Sequence, residues 1–153
     1  MSELKDTQNE NDDRQIAIDR VGVKALKFPL VVKDKGGDEQ PTVATVALAV
    51  DLPHHNKGTH MSRFIEVLNA HGNCLSVHDM AGLPGDLLKR LDAQRAYIEF
   101  LFPFFKSKPA PVTGNEGMMD YNVRFEIEAE KGGITDFIVT VMVPVATLCP
   151  CSK

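Results

Sequence analysis

The sequence predicts an α+β domain in which two helices cover one face of an antiparallel sheet. Three observations predict this class. Apolar and polar residues alternate over residues 42–50, 121–129 and 137–143, which is the period of half-buried strands. Charged or glycine-rich turns at residues 33–38 and 131–133 join strands into hairpins. Two stretches with apolar residues at helical spacing lie between the hairpins. The predicted order is strand, strand, helix, helix, strand, strand.

The first hairpin is expected to lead directly into the first helix. Its first strand lies within residues 16–32, and its second strand covers residues 42–50. A loop of residues 51–58 follows, and Thr59 is the expected N-cap of the helix. The apolar face of this helix consists of residues at helical spacing, namely Met61, Phe64, Ile65 and Leu68.

The second helix is predicted to begin near residues 84–86 and to end before Pro103, because proline cannot continue a helix. Its apolar stripe is Leu87, Leu91, Ile98 and Leu101. A loop over residues 106–117 then leads to the second hairpin. A four-stranded sheet has two edges that must be covered or paired, so subunits are expected to pair them and close a barrel.

Composition and charge limit the classes of protein to which this chain can belong. The chain has 153 residues, 43% of them hydrophobic and 25% charged, which suits one globular domain. The net charge of -4 argues against a nucleic-acid binder that relies on bulk electrostatics. No segment approaches the roughly 20 apolar residues of a membrane span, and residues 1–15 are polar and acidic, unlike a signal peptide. A cytoplasmic protein with a flexible acidic arm over residues 1–15 and a domain over 16–153 is expected.

The first motif that can carry chemistry is LCPCSK, residues 148–153, just after the last predicted strand. Lys153 and nearby amides can lower the pKa of a thiol, and a thiolate can hold a zinc ion at about 2.3 Å. Two cysteines cannot complete a tetrahedral site by themselves, so surface thiols without a role are an equally open interpretation. A redox pair of Cys149 and Cys151 is a further alternative.

The second motif is GTHMSRF, residues 58–64, where a glycine precedes the start of the first helix. Amides at a helix N-terminus, together with the Ser62 hydroxyl and the Arg63 guanidinium, form a usable anion site. The alternative is a capped helix whose His60 and Arg63 are solvated. His54 and His55 are expected to be loop residues, and Cys74 with His78 is a weaker candidate pair for a metal.

Taken together, these stretches resemble type IB GTP cyclohydrolase. GTHMSRF and LCPCSK look like the two signature stretches of that family, and IAIDRVGVK, residues 16–24, is similar to its opening strand. The resemblance covers nearly everything after the acidic arm. It implies the tunnelling fold, in which sheets of several subunits or repeats join into a barrel with helices outside. It also implies a homotetramer with active sites at interfaces between modules.

The reaction implied by the resemblance is hydrolytic. A metal-activated water attacks C8 of the guanine ring of GTP, the ring opens, formate leaves, and the ribose rearranges and cyclises to give 7,8-dihydroneopterin triphosphate. The family's metal ligand in the Cys-Pro-Cys stretch corresponds to Cys149, with Cys151 as the alternative. Zinc is the expected ion, and manganese or iron remain open. His60, Ser62 and Arg63 correspond to substrate or phosphate contacts, and His60 is also a candidate catalytic residue.

One departure from the family stands out. The family continues for roughly another domain, which supplies a histidine and glutamates of the metal site and the guanine anchor. This chain is therefore expected to be the N-terminal module, with the C-terminal module absent and the activity of the 153 residues alone in question. Other expectations are another tunnelling-fold enzyme acting on a pterin or deazapurine, such as a nitrile reductase, or a non-catalytic purine-binding or assembly module.

Overall fold

A computed structural model of the chain describes Gln8 and residues 10–33, 35–72 and 77–147, with the side chains of residues 77 and 78 excepted. Within this part, the order of elements is β1 (Ile18–Lys33), β2 (Glu39–Leu52), α1 (Met61–Ala70), α2 (Val77–Met80), α3 (Leu83–Leu91), β3 (Arg95–Pro109), β4 (Glu116–Glu130) and β5 (Gly133–Met142). The strands form one antiparallel sheet in the order β1-β2-β3-β4-β5. The predicted α+β class and both predicted hairpins are confirmed.

The core lies between the helices and one face of the sheet. Alternate residues of the three central strands are buried, and the apolar faces of α1 and α3 pack on them. The buried helix residues are Phe64, Val67, Leu68, Leu83, Pro84, Leu87 and Leu88. Among the described residues, every buried side chain is apolar. The polar groups therefore lie on the opposite face of the sheet, at its ends and on the outer faces of the helices.

The prediction of a second helix reaching residue 101 is wrong, and with it the four-stranded order. Helix α3 ends at Leu91 because Asp92 adopts a left-handed conformation with φ 49°. Residues from Arg95 onward form β3, in which alternate side chains are buried: Ala96, Ile98, Phe100 and Phe102. The helical spacing of Ile98 and Leu101 was coincidental, and the alternation of large apolar residues was the better signal.

The predicted loop over residues 106–117 is also shorter in the structure. Strands β3 and β4 pair from Arg95 opposite Glu130 to Pro109 opposite Glu116, leaving a turn of residues 110–115. This long hairpin extends beyond the helices, and its last residues are exposed. Buried residues alternate along β4, so Glu126, Glu128 and Glu130 lie on the open face of the sheet.

Side chains replace part of the ladder between β2 and β3. The ladder joins residues 45–50 to residues 96–101, and Pro103, which has no N–H to donate, follows. Beyond it, the Gln40 side chain accepts a hydrogen bond from the Phe105 amide at 2.7 Å and donates one to the Phe105 carbonyl at 2.8 Å. The Thr42 hydroxyl donates to the Pro103 carbonyl at 2.9 Å. These bonds hold the two strands together where the backbone cannot.

Two edges of the sheet, β1 and β5, have no strand partner on their outer side within the described residues. On β5 the exposed apolar residues are Ile134, Ile138, Val139, Val141 and Met142, and none of its residues is buried. The helices cover the inner strands and leave this edge open. None of the helices in the described part of the chain has the length and apolar character that crossing a lipid bilayer requires.

Candidate functional site at the start of helix α1

The start of α1 lies at the surface, where Met61 and Ser62 are exposed and the Arg63 amide donates to the His60 carbonyl at 3.1 Å. Its N-cap is His60, with φ -80° and ψ 102°, so the prediction of Thr59 at this position is wrong by one residue. The His60 side chain makes no capping hydrogen bond, and the first turn contains no acidic residue. Ser62 is exposed, and His60 and Arg63 are half-buried. Amides and hydroxyl, imidazole and guanidinium groups therefore surround a helix N-terminus, which favours anions.

Arg63 also has a structural contact that the sequence did not indicate. Its Nη1 donates a long hydrogen bond of 3.4 Å to the carbonyl of Arg90, in the last turn of α3. A cation at a helix C-terminus is favourable because the carbonyls there carry partial negative charge. The guanidinium has five N–H donors, so this bond leaves others for a ligand.

The loop that leads into the motif is held by the N-terminal arm. Asn11 bridges Asn56 in an antiparallel arrangement, and the amides of Lys57 and Gly58 donate to the carbonyls of Glu10 and Gln8 at 3.2 Å each. We call Gln8 and residues 10–12 the N-terminal strap. Flexibility of the whole arm, residues 1–15, stays a prediction, but the strap is hydrogen-bonded to the loop before α1.

A second polar cluster lies on the open face of the sheet, where β2 ends and β3 begins. A cavity of about 300 Å³ there is lined by charged residues, including Asp19, Asp51, Arg95 and Glu130. The Asp51 carboxylate accepts hydrogen bonds from the amides of Gln94 at 2.9 Å and Arg95 at 2.7 Å. It thereby ties the end of β2 to the start of β3.

Tyr97 is the centre of this cluster. The Arg20 guanidinium stacks 4.1 Å from the centre of its ring and pairs with Glu128. The Tyr97 hydroxyl donates to Glu99 at 3.3 Å. Partial burial, followed by the charges of Glu99 and Glu126, raises the pKa of Tyr97 to about 12, so the phenol stays protonated at neutral pH. Sequence reasoning missed this cluster because it placed Tyr97 in a helix.

Within the described residues, the start of α1 lies far from the end of β5. Arg63 contacts Arg90, four residues before the Gln94 amide that Asp51 binds, so α1 starts toward that end of the sheet. Strand β5 ends with Met142 opposite Asn122. Asn122 lies eight residues along β4 from Glu130, about 27 Å at about 3.4 Å per residue. Strand β5 therefore ends far from the start of α1, and LCPCSK, residues 148–153, lies outside the described residues.

The predicted metal ligands Cys149 and Cys151 lie outside the described residues, as do Cys74 and the side chain of His78. His54 and His55 are exposed loop residues whose rings meet edge to face at 5.3 Å. The described part of the chain contains no group of three or more histidine, cysteine, aspartate or glutamate side chains placed to hold a metal ion. These residues alone do not form a metal centre.

Comparison with known proteins decides the family. The family described as Type I GTP cyclohydrolase folE2 matches residues 4–153. The chain belongs to this family. The GTP cyclohydrolase FolE2 of Akkermansia muciniphila is 62% identical over 154 residues, covering 100% of this chain and 58% of that protein. Those of Methylobacillus flagellatus and Azoarcus sp. are 48% and 47% identical over 150 residues, covering 98% of this chain and 56% of each protein.

The family assignment agrees with the resemblance drawn from the three motifs. The chain spans a little over half the length of these FolE2 relatives. The start of α1, the N-terminal strap and the polar cluster around Tyr97 are therefore features of one part of a FolE2-type protein.

Proposed function

We propose that the full-length protein is a cytoplasmic GTP cyclohydrolase, which opens the imidazole ring of GTP and forms 7,8-dihydroneopterin triphosphate and formate. This is the first step of folate and pterin biosynthesis. The observation that carries the proposal is the family match over residues 4–153, with relatives that bear this activity in their names. Because the chain spans a little over half of those relatives, we assign the activity to the full-length protein.

In this proposal the start of α1 contributes contacts to the substrate. The triphosphate is an anion, and the helix amides, the Ser62 hydroxyl and the Arg63 guanidinium are the donors that suit it. The absence of acidic residues from the first turn of α1 supports this role, since a carboxylate there would repel phosphate. His60 lies beside these groups and is the candidate for a contact or a proton transfer near the reacting ring.

We further propose that Cys149 is a ligand of a divalent metal, with Cys151 as the alternative and zinc as the expected ion; manganese and iron also suit mixed ligands. When bound, the metal would supply hydroxide near neutral pH. The remaining ligands would come from outside the described residues, since these form no metal centre alone. Residues 1–153 by themselves are therefore expected to bind metal weakly and to show little activity.

A homotetramer with a closed barrel is the proposed assembly. The two open edges of the sheet and the exposed apolar residues of β5 support it, because unpaired edges are usually covered in native proteins. The separation between the start of α1 and the end of β5 supports active sites shared between modules. One copy's Cys149 would then lie near the α1 start of another module.

An assay of the full-length protein tests the function. Purified protein, loaded with zinc, manganese or iron in parallel, is incubated with GTP, and the product is oxidised and measured by pterin fluorescence, with formate measured beside it. We expect both products in equal amounts from GTP and neither from ATP, which lacks the guanine ring. A folded, metal-loaded protein that yields neither product would refute the proposal.

A further inference from the structure

The N-terminal strap and the loop it contacts form a two-stranded ribbon. The Asp12 amide donates to the His55 carbonyl at 3.0 Å, and the amides of Lys57 and Gly58 donate back to the strap. A side-chain ion pair joins Lys57 Nζ to Glu10 Oε2 at 3.0 Å. Three backbone hydrogen bonds and one ion pair therefore join segments that are more than 40 residues apart in sequence.

Gly58 contacts the strap through both the backbone and the side chain of Gln8. A Cβ at this position would meet the end of the Gln8 side chain, which would have to turn aside to make room. Gly58 does not adopt a positive φ, and its amide donates to the Gln8 carbonyl at 3.2 Å. The first residue of GTHMSRF thus contacts the arm itself.

The ribbon ends immediately before the proposed substrate contacts. Gly58 is two residues before His60 and four before Ser62 in the same continuous segment. The loop of residues 53–58 adds its own turn, in which the Asn56 amide donates to the Pro53 carbonyl at 3.0 Å. Without the strap, the loop would have to become ordered when the substrate binds. The conformational entropy lost in that step would weaken the affinity for the substrate.

We propose that the N-terminal strap is a positioning segment for the substrate site, which holds the 55–58 loop so that Ser62 and Arg63 are preorganised for the triphosphate of GTP. This inference rests on the proposed function. The backbone hydrogen bonds between the strap and the loop involve residues 55, 57 and 58, just before the groups proposed to hold the triphosphate, so we expect the strap to act on the affinity for GTP and to leave kcat unchanged. The expected signature is a change of KM without a change of kcat.

Two truncations of the full-length enzyme test the role. A variant that lacks residues 1–12 loses the strap, whereas a variant that lacks residues 1–7 keeps Gln8 and residues 10–12. We expect the first to raise the KM for GTP about tenfold, equivalent to about 1.4 kcal/mol, with kcat changed less than about twofold. The second should match the unmodified enzyme. Equal KM values in both truncations would overturn the inference.

A pair of substitutions guards against loss of folding in the longer truncation. Asp12→Pro removes the amide that donates to His55, whereas Asp12→Ala removes the carboxylate and keeps that amide. Hydrogen exchange of the Lys57 and Gly58 amides, measured without nucleotide, should be faster in Asp12→Pro than in Asp12→Ala, and KM should rise only in Asp12→Pro. Identical exchange and KM in the two variants would overturn the inference.

The same experiment separates this inference from the proposed function. If the unmodified protein forms pterin from GTP, only the comparison of variants decides the role of the strap. If the unmodified protein forms no pterin with its strap intact, the proposed function is wrong, and the positioning role for GTP is wrong with it.

Discussion

Arg63 has two roles: its guanidinium contacts helix α3, and it is proposed to bind the triphosphate of GTP. Its guanidinium contacts the carbonyl of Arg90 at the end of α3, and it lies in the first turn of α1, where phosphate is proposed to bind. The two roles have different consequences, since the first contributes to stability and the second to affinity for GTP. A substitution can therefore distinguish them.

Arg63→Ala in the full-length enzyme should raise the KM for GTP by about 10- to 100-fold, because a hydrogen bond to a charged group contributes about 1.5–3 kcal/mol. Steady-state kinetics and a thermal melt measure the two effects side by side. Arg90→Ala is the matched control: it removes the ion pair with Glu66 but keeps the carbonyl that Arg63 contacts. An unchanged KM in folded Arg63→Ala would favour the solvated helix cap.

Cys149 and Cys151 differ in their expected roles, although only Pro150 separates them. Cys149→Ala in the full-length protein should lose bound metal and activity together, because a thiolate ligand would be missing. Cys151→Ala should retain more of both. Metal analysis by mass spectrometry, with the GTP assay beside it, measures the outcome. Loss of metal in Cys151→Ala alone would transfer the ligand role to Cys151.

Tyr97 should make the free energy of unfolding decrease as the pH rises into the alkaline range. Its pKa in the folded protein is about 12, above the usual 10, so the unfolded chain loses this proton first as the pH rises. The contribution to stability should be constant below pH 10 and should be lost as the pH rises from about 10 to about 12. Tyr97→Phe should remove this component, measured by denaturant unfolding at several pH values and by the absorbance of tyrosinate. Identical pH profiles in both proteins would contradict it.

At the scale of elements, β1 and β2 approach each other closely at Gly22. A Cβ there would overlap the carbonyl oxygen of Leu48 and stand 2.7 Å from the Cα of Ala49. Both obstacles are backbone atoms of the neighbouring strand, so they cannot move aside as a side chain could. Gly117 in β4 is different, since the nearest atom to its Cβ position is 3.9 Å away.

Gly22→Ala should therefore destabilise the domain by about 2 kcal/mol or more, because overpacking forces the backbone to shift. Gly117→Ala should be neutral or stabilising by up to about 1 kcal/mol, since it restricts the unfolded chain without a clash. Urea denaturation of both variants measures the difference. Equal stabilities would show that β1 can move away from β2 without loss.

Sequence patterns failed to identify the short helix α2 and, with more consequence for the fold, strand β3. Leu87, Leu91 and Leu101 fit a helical stripe, and only the left-handed turn at Asp92 interrupts it. Asp51 then binds the amides of Gln94 and Arg95 and starts the strand. Both features act through contacts or backbone angles that periodicity does not encode, whereas the alternation in β2, β4 and β5 was visible because turns bounded those strands.

At the scale of the whole molecule, the edge strand β5 exposes apolar side chains that a subunit interface would cover. Val141 lies on the same side of the sheet as the helices, opposite Val123, yet 52% of its surface is exposed. Val112, in the turn at the far end of the β3–β4 hairpin, is 96% exposed. Val141 belongs to the proposed interface, and Val112 serves as the control for a surface valine outside it.

Val141→Lys in the full-length protein should shift the tetramer toward smaller species, because a buried lysine charge opposes strand pairing and desolvation at the edge. Val112→Lys should leave the assembly unchanged. Light scattering after size-exclusion chromatography gives the masses. A tetramer of unchanged mass in Val141→Lys would place the subunit interface elsewhere.

The sequence by itself determined the fold class, four of the five strands, helix α1 and the family, because hydrophobic periodicity, turn residues and motifs are local properties of the chain. Only the tertiary structure decided that residues 95–109 form the central strand, that the N-terminal strap docks on the loop before α1, and that Arg63 contacts α3. It also decided that Tyr97 faces Arg20 and that α1 starts far from the end of β5. These facts depend on long-range contacts, and the energy of such contacts overrides local preference without leaving a periodic signal.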